Sequence, residues 1–241
     1  VSSNFAMPVP APNYPTTGLV GKWTFDDATA NDSSGNGYHG AGVNGPTYDA
    51  GDTKVGKGRS LVVNGANLVK VDSGGSQTVF NGGTAMTISA WVKGWPGGNW
   101  NPYIAKRGEG GVGWQERRGG SDANLSWTTR GAGDDYQLGK SNCGDGSWRM
   151  LTMTFDSTIG ANQKKVYLDS ALLGQATVGG TITPTAAMLS FGARADADSS
   201  TAGWQAYFNG KLDDIYFYNR ALTAGEVTNL FNIPGSSSVP E

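Results

Sequence analysis

Short runs of β-branched and aromatic residues recur along this chain, and clusters of Gly, Asn, Asp and Ser separate them. They read LVGKWTF (19–25), SLVVNG (60–65), NLVKV (67–71), MTISAWVK (86–93), VGWQERR (112–118), NLSWTTR (124–130), RMLTMTFD (149–156), KKVYLD (164–169), MLSFGA (188–193) and FNGKLDDIYFYN (208–219). About ten such segments at this spacing predict an all-β fold. The chain carries 38 Gly but only four Glu among its 241 residues, which excludes helical bundles and leaves no material for crossover helices. The sheets should therefore be antiparallel. One helix is expected: Thr223 and Glu226 form a capping box that opens AGEVTNLF, ending near Asn232, before Pro234. No repeat of 20–50 residues is visible.

Residues 1–17 are rich in Pro, Ser and Asn, without apolar periodicity, and are expected to form a leader; residues 233–241 read as a Ser/Pro linker. The folded domain is expected over 18–232. No signal-peptide core is present, so any export signal is expected to have been removed. Net charge is −2 and the isoelectric point near 5.4, which argues against electrostatic capture of nucleic acid or of anionic membrane. No run is long and apolar enough to span a bilayer. Cys143 and His39 are the only residues of their kinds, so a Cys/His zinc site, a c-type haem site and an internal disulfide are excluded by count.

The order GLVGKWTFDD, DSSGNGYHG, VGKGRSLVVNGANLVKV, ISAWVK, GSWRMLTMTFD, KKVYLDSALLG and GKLDDIYFYNRALTAGEVTNLF resembles the laminin-G-like, concanavalin A-like jelly-roll domains of secreted bacterial proteins. That resemblance spans almost the whole of 18–232. It implies a two-sheet antiparallel jelly-roll β-sandwich, one sheet curved, with one short C-terminal helix. The terminal SSSVPE resembles the start of the Val-Pro-Glu-Pro sorting tails of some Gram-negative bacteria, which implies a secreted or surface protein and a single-domain mature form.

Relatives of this kind often hold one structural calcium, which implies ligands from the Asp-rich opening and the last strand. Asp26 and Asp214 are the expected side-chain ligands, with Asn36 and a carbonyl near Gly37 or Tyr38. The competing reading makes DSSGNG a plain turn whose Asp and Asn satisfy backbone donors.

Alternation in VGWQERR places Trp114, Glu116 and Arg118 on one face and Gln115 and Arg117 on the other. In NLSWTTR, Leu125 and Trp127 should enter the core, leaving Asn124, Ser126, Thr128 and Arg130 outward. A groove lined by Gln115, Arg117, Thr128 and Arg130 follows. Arg107 and the flanking-loop residues Trp95, Trp100, Tyr103, Asp134, Asp135, Tyr136 and Trp204 add to it. Indoles that stack on the C–H face of a pyranose, beside Arg, Gln and Asp that bond its hydroxyls, suit a polysaccharide ligand. The Trp-Pro-Gly-Gly-Asn-Trp loop (95–100) is the sharpest such feature, although single Trp residues commonly belong to a core.

Catalytic readings are thin. The laminarinase-type pair of Glu flanking an Asp is absent: Glu109 and Glu116 are seven apart. A glycosidase pair could be assembled from Glu116, Asp122, Asp134 or Asp135, but nothing selects one. A lyase could use Tyr103 or Tyr136 as base, with Gln115, Arg117 and Arg130 on a uronate carboxylate. A Ser-His-Asp triad would depend on His39, which lies in the turn motif. GEGGVG (108–113) matches the dinucleotide fingerprint in letters only, since another strand follows it. Three functions stay open: a non-catalytic glycan-binding domain, expected as a monomer, a polysaccharide-cleaving enzyme on the same scaffold, and a structural or protein-binding surface module.

Overall fold

A computed structural model describes residues 14–54, 58–75, 77–94, 100–108, 111–119, 124–140 and 146–233. Seventeen strands and one α-helix lie among them. In chain order the strands are β1 (Leu19–Trp23), β2 (Gly40–Val43), β3 (Thr47–Asp49), β4 (Ser60–Asn64), β5 (Leu68–Val71), β6 (Ala85–Lys93), β7 (Pro102–Arg107), β8 (Gly113–Gly119) and β9 (Asn124–Thr129). They continue as β10 (Asp134–Lys140), β11 (Arg149–Asp156), β12 (Lys164–Leu168), β13 (Ala171–Ala176), β14 (Ser190–Phe191), β15 (Arg194–Ala195), β16 (Trp204–Gln205) and β17 (Asn209–Tyr218); the helix is α1 (Ala224–Phe231).

All pairings are antiparallel. One sheet of eight strands runs β13-β12-β11-β6-β17-β4-β3, and β1 takes over from β4 along the second half of β17. The other, of seven, runs β10-β9-β8-β7-β14-β5-β2, and β15 with β16 forms a separate small hairpin. This is the two-layered sandwich that the glycine-punctuated segments predict.

Alternation builds the core. Along β6, Met86, Ile88, Ala90 and Val92 are buried toward the second sheet, where Trp114, Trp127 and Phe191 meet them. Trp23 sits edge-on to Phe191 with centroids 5.0 Å apart, and Phe80 edge-on to Phe217 at 5.2 Å. The other side of β6 is polar and still buried. Thr87 Oγ1 donates to the Arg220 carbonyl and accepts from the Leu222 amide, while Ser89 bonds Thr152. Helix α1 covers that side, laying Val227 and Leu230 on Met150, Tyr167, Tyr216 and Tyr218, with Phe231 stacked 5.4 Å from Trp91. Its capping box is present as expected: Thr223 Oγ1 accepts from the Glu226 amide, and the Glu226 carboxylate accepts from the Thr223 amide.

Sequence pattern undercounts the strands. β7 begins with Pro and holds Lys106, and β10 begins Asp-Asp, so neither shows apolar alternation. Asp134, Asp135 and Tyr136, expected in a loop, instead lie in the edge strand β10.

Candidate functional site

The outer face of the seven-stranded sheet carries the polar residues the sequence singles out. Register aligns Gln115 of β8 with Thr128 of β9 and Asp135 of β10, and Arg117 with Ser126 and Gln137. Thr128 Oγ1 donates to Asp135 at 2.5 Å, Arg117 Nη2 donates to the same carboxylate at 2.8 Å, and Gln115 Nε2 reaches Thr128 at 3.4 Å. Burial alone would raise the Asp135 carboxyl; the Thr128 hydroxyl and the Arg117 guanidinium outweigh it and hold the group below the usual carboxylate range.

Arg117 is thereby aimed. Its guanidinium carbon lies 4.4 Å from the centroid of Trp100, a cation–π contact. Trp100 is 39% exposed and adopts φ +72°, a left-handed conformation that bulky residues rarely hold without a compensating purpose.

Three more arginines complete the face. Arg130 pairs with the exposed Asp134 at 3.1 Å. Arg107 closes β7 opposite Gly113 and is partly exposed. Arg194 opens the β15–β16 hairpin, which packs on β7. Burial first, then repulsion from Arg130, Arg194 and Arg117, pushes the Arg107 guanidinium down to about 10.

The expected groove is only partly realised, and four of its residues need correction. Gln115 and Thr128 do face outward, but they are 1% and 0% exposed, bonded beneath the Arg117–Asp135 pair. They can orient neighbours but cannot touch a ligand. Tyr103 is a core residue, edge-on to Phe208 at 5.0 Å. Tyr136 shares the register of Trp127 and so faces inward; its hydroxyl donates to the Gln175 carbonyl of β13 and ties the ends of the two sheets together. Trp204 is half-buried in β16. Trp95, Glu109, Asp122 and Cys143 lie outside the described residues. Arg194 escaped the sequence reading because a two-residue strand leaves no periodic signal.

Glu116 faces the core as the alternation predicts. It is fully buried between Ile104 and Trp127 in the ladder, and neither carboxylate oxygen has a hydrogen-bond partner. Burial raises its carboxyl well above the ordinary value, which favours the neutral acid.

The proposed cation ligands divide between two places. Asp32, not Asn36, organises the DSSGNG turn: its carboxylate accepts from the amides of Lys22, Ser34 and Tyr38 and from the Ser34 hydroxyl. The Asn36 amide donates to the Leu19 and Val20 carbonyls, the Gly37 carbonyl accepts from the His39 amide, and the Tyr38 carbonyl accepts from the Trp23 indole. These are the bonds that the turn reading expects, with the Asn36 side-chain N–H and the Gly37 carbonyl engaged by backbone groups. Asp26 instead belongs with the last strand. Burial, and then repulsion from Asp214 and Asp26, pushes the Asp213 carboxyl up, while Lys54 Nζ donates to Asp214 at 2.9 Å. Phe25, Ala28 and Asp214 all adopt left-handed φ at this seam. Among the described residues, no three or more His, Cys, Asp or Glu side chains are grouped as a metal site.

No helix among the described residues is long and apolar enough to cross a membrane. No curated protein matches the sequence closely enough to serve as a relative. Solved structures share the architecture. Domain 4 of AbnA, a GH43 extracellular arabinanase from Geobacillus stearothermophilus solved with arabinotriose, superposes with a TM-score of 0.63 at 21% identity, over 89% of this chain and 98% of that one. The binding domain of Paraclostridial Mosquitocidal Protein 1 gives 0.64 at 18%, over 90% of this chain and 52% of its own. The binding domain of Botulinum Neurotoxin DC in complex with SialylT gives 0.65 at 15%, over 90% and 51%. The chain thus spans about half of these toxin domains. Residues 56–228 match the laminin-G family described as the concanavalin A-like lectin/glucanases superfamily. With that match over most of its length and both antiparallel layers in place, this chain belongs to the concanavalin A-like lectin/glucanase superfamily, as a laminin-G-type domain.

Proposed function

We propose that this domain is a non-catalytic carbohydrate-binding module that holds a polysaccharide at the rim of the seven-stranded sheet, against Trp100 and Arg117. The observation that carries the reading is the exposed Trp100 indole, fixed at a left-handed φ, with Arg117 braced on Asp135 above it. An indole face takes the C–H surface of a sugar ring, and a neighbouring guanidinium bonds its oxygens. That a like-folded arabinanase domain was solved with arabinotriose supports the reading.

Cleavage fits less well. Glu116 is sealed in the core, Tyr103 is buried, Tyr136 is bonded to Gln175, and Asp134 and Asp135 are each paired with an arginine. A catalytic carboxylate needs access and a tuned proton affinity, which none of these acids combines.

The proposal places the module outside the cell, as a monomer. Calcium enters it at Asp26 and Asp214, away from Asn36 and Gly37. A divalent ion there would relieve the mutual repulsion of these carboxylates, competing with the Lys54 ammonium.

A panel of immobilised polysaccharides tests the function. Expected are retention on at least one polymer, no new reducing ends or unsaturated products, and retention at least about fivefold weaker for Trp100→Ala, about 1 kcal/mol. Products would replace the proposal with an enzyme, and no retention on any polymer with a structural module.

A further inference from the structure

We propose that the ligand is an anionic polysaccharide, and that the arginines gathered at the rim, with Arg107 at their centre, are the charge-selecting subsite. This rests on the carbohydrate-binding reading and names the class of sugar within it.

The chain as a whole is slightly acidic, at −2. Even so, Arg107, Arg117, Arg130 and Arg194 lie close enough on one face for Arg107 to feel all three of the others. Among the described residues, Asp135 holds Arg117, and Asp134 holds Arg130. Asp135 offsets part of the repulsion at Arg107, and it is already engaged by Arg117 and Thr128.

Arg107 carries donors that the fold leaves unmet. Its Nε and Nη1 are buried without any hydrogen-bond acceptor, and the Nε atoms of Arg117 and Arg130 share that condition. A buried guanidinium donor without an acceptor is costly, and like charges set together add to the cost. The strand register holds Arg107 there regardless, since it ends β7 opposite Gly113 and the Cβ-less Gly108 beside it lets the Ala197 backbone pack against the strand end. An arrangement that is unfavourable alone and complete once an anion arrives is a preformed anion site.

The fixed geometry favours sugar-borne anions over loose counter-ions. Trp100 offers a stacking surface beside Arg117 at one end of the β7–β8 ladder, so one sugar ring can lie on the indole while acidic substituents farther along the polymer meet Arg107 at the other end. Carboxylate and sulfate groups meet the same donors, and the experiment separates them.

Affinity electrophoresis of the intact chain is run in polygalacturonate, in carboxyl-reduced polygalacturonate as the matched neutral polymer, in dextran sulfate and in duplex DNA. Expected is retention at least about tenfold stronger in polygalacturonate or dextran sulfate than in the reduced polymer, whichever is stronger naming the anion. That preference should fall steeply between about 10 mM and about 300 mM salt, a wild-type measurement that needs no variant to fold. Arg107→Gln should bring retention in the acidic polymer down to that in the reduced one while leaving the latter unchanged; Arg107→Lys should restore part of it. Equal retention in acidic and reduced polymers, an unaltered Arg107→Gln profile, or DNA retained as strongly as the acidic glycan would each overturn the inference. Retention in the neutral polymer alone rejects this subsite and leaves the proposed function standing; no retention in any polysaccharide removes both.

Discussion

Arg117 and Glu116 are neighbours in β8 and meet opposite fates because a strand alternates faces. Arg117 is spread over Trp100 and tied to Asp135. Its replacement by Ala should weaken polysaccharide binding by at least about 1 kcal/mol, measured by calorimetry on whichever polymer retains the wild type. Unchanged affinity would move the site elsewhere. Glu116 carries a different expectation. Its folded-state proton affinity is raised, so the fold favours the protonated form; that contribution is complete below about pH 4.3, the ordinary Glu value, and is lost as pH climbs through the raised value. Glu116→Gln should therefore melt higher than wild type at pH 8, by at least about 2 °C, the shift that about 1 kcal/mol produces in a chain this size. The difference should close toward pH 4. A gap independent of pH would mean that Glu116 is ionised in the core.

At the scale of elements, helix α1 shows how a short segment is held by both local and tertiary means. Eight residues are too few to be stable alone. Thr223 and Glu226 satisfy the first orphan amides, Arg220 grips Glu226 at 2.6 Å, and the apolar side docks on Tyr216 and Tyr218. Thr223→Ala should cost about 1 kcal/mol, read as a lower melting temperature and faster amide exchange across 224–231. If exchange there is unaltered, docking rather than the cap sets the helix's stability. The capping box and the stop near Asn232 were plain in the sequence. β7 and β10 were not, because Pro102, Lys106, Asp134 and Asp135 obscure the alternation that their neighbours complete.

For the molecule as a whole, the seam joining the opening segment to β17 is where a metal would act. Asp26 and Asp214 are 188 positions apart in the chain and are brought to one seam by the pairing of β1 with β17. An ion bound there would favour the folded state by mass action, by about 2.7 kcal/mol at one hundred times its dissociation constant. Calcium should accordingly raise the melting temperature over that in chelator by about 5 °C or more, and Asp214→Asn should abolish the difference. Identical melts with calcium and with chelator would remove the ion from the proposal and leave Lys54 as the seam's standing cation.

Architecture was readable from residue order because it depends on local properties: alternation selects strands, glycine turns divide them, and the scarcity of Glu denies crossover helices. The outward facing of Gln115, Arg117 and Thr128 was readable for the same reason. What covers an outward residue is not local. Gln115 and Thr128 vanish under the Arg117–Asp135 pair, Tyr136 turns inward to reach β13, and Asn36 is consumed by the carbonyls of Leu19 and Val20. The company Arg107 keeps with Arg194 likewise depends on a hairpin from nearly ninety positions later packing against β7. Periodicity specifies a side of the sheet; burial and charge at a point are sums over distant segments, and those sums exist only once the two layers have closed.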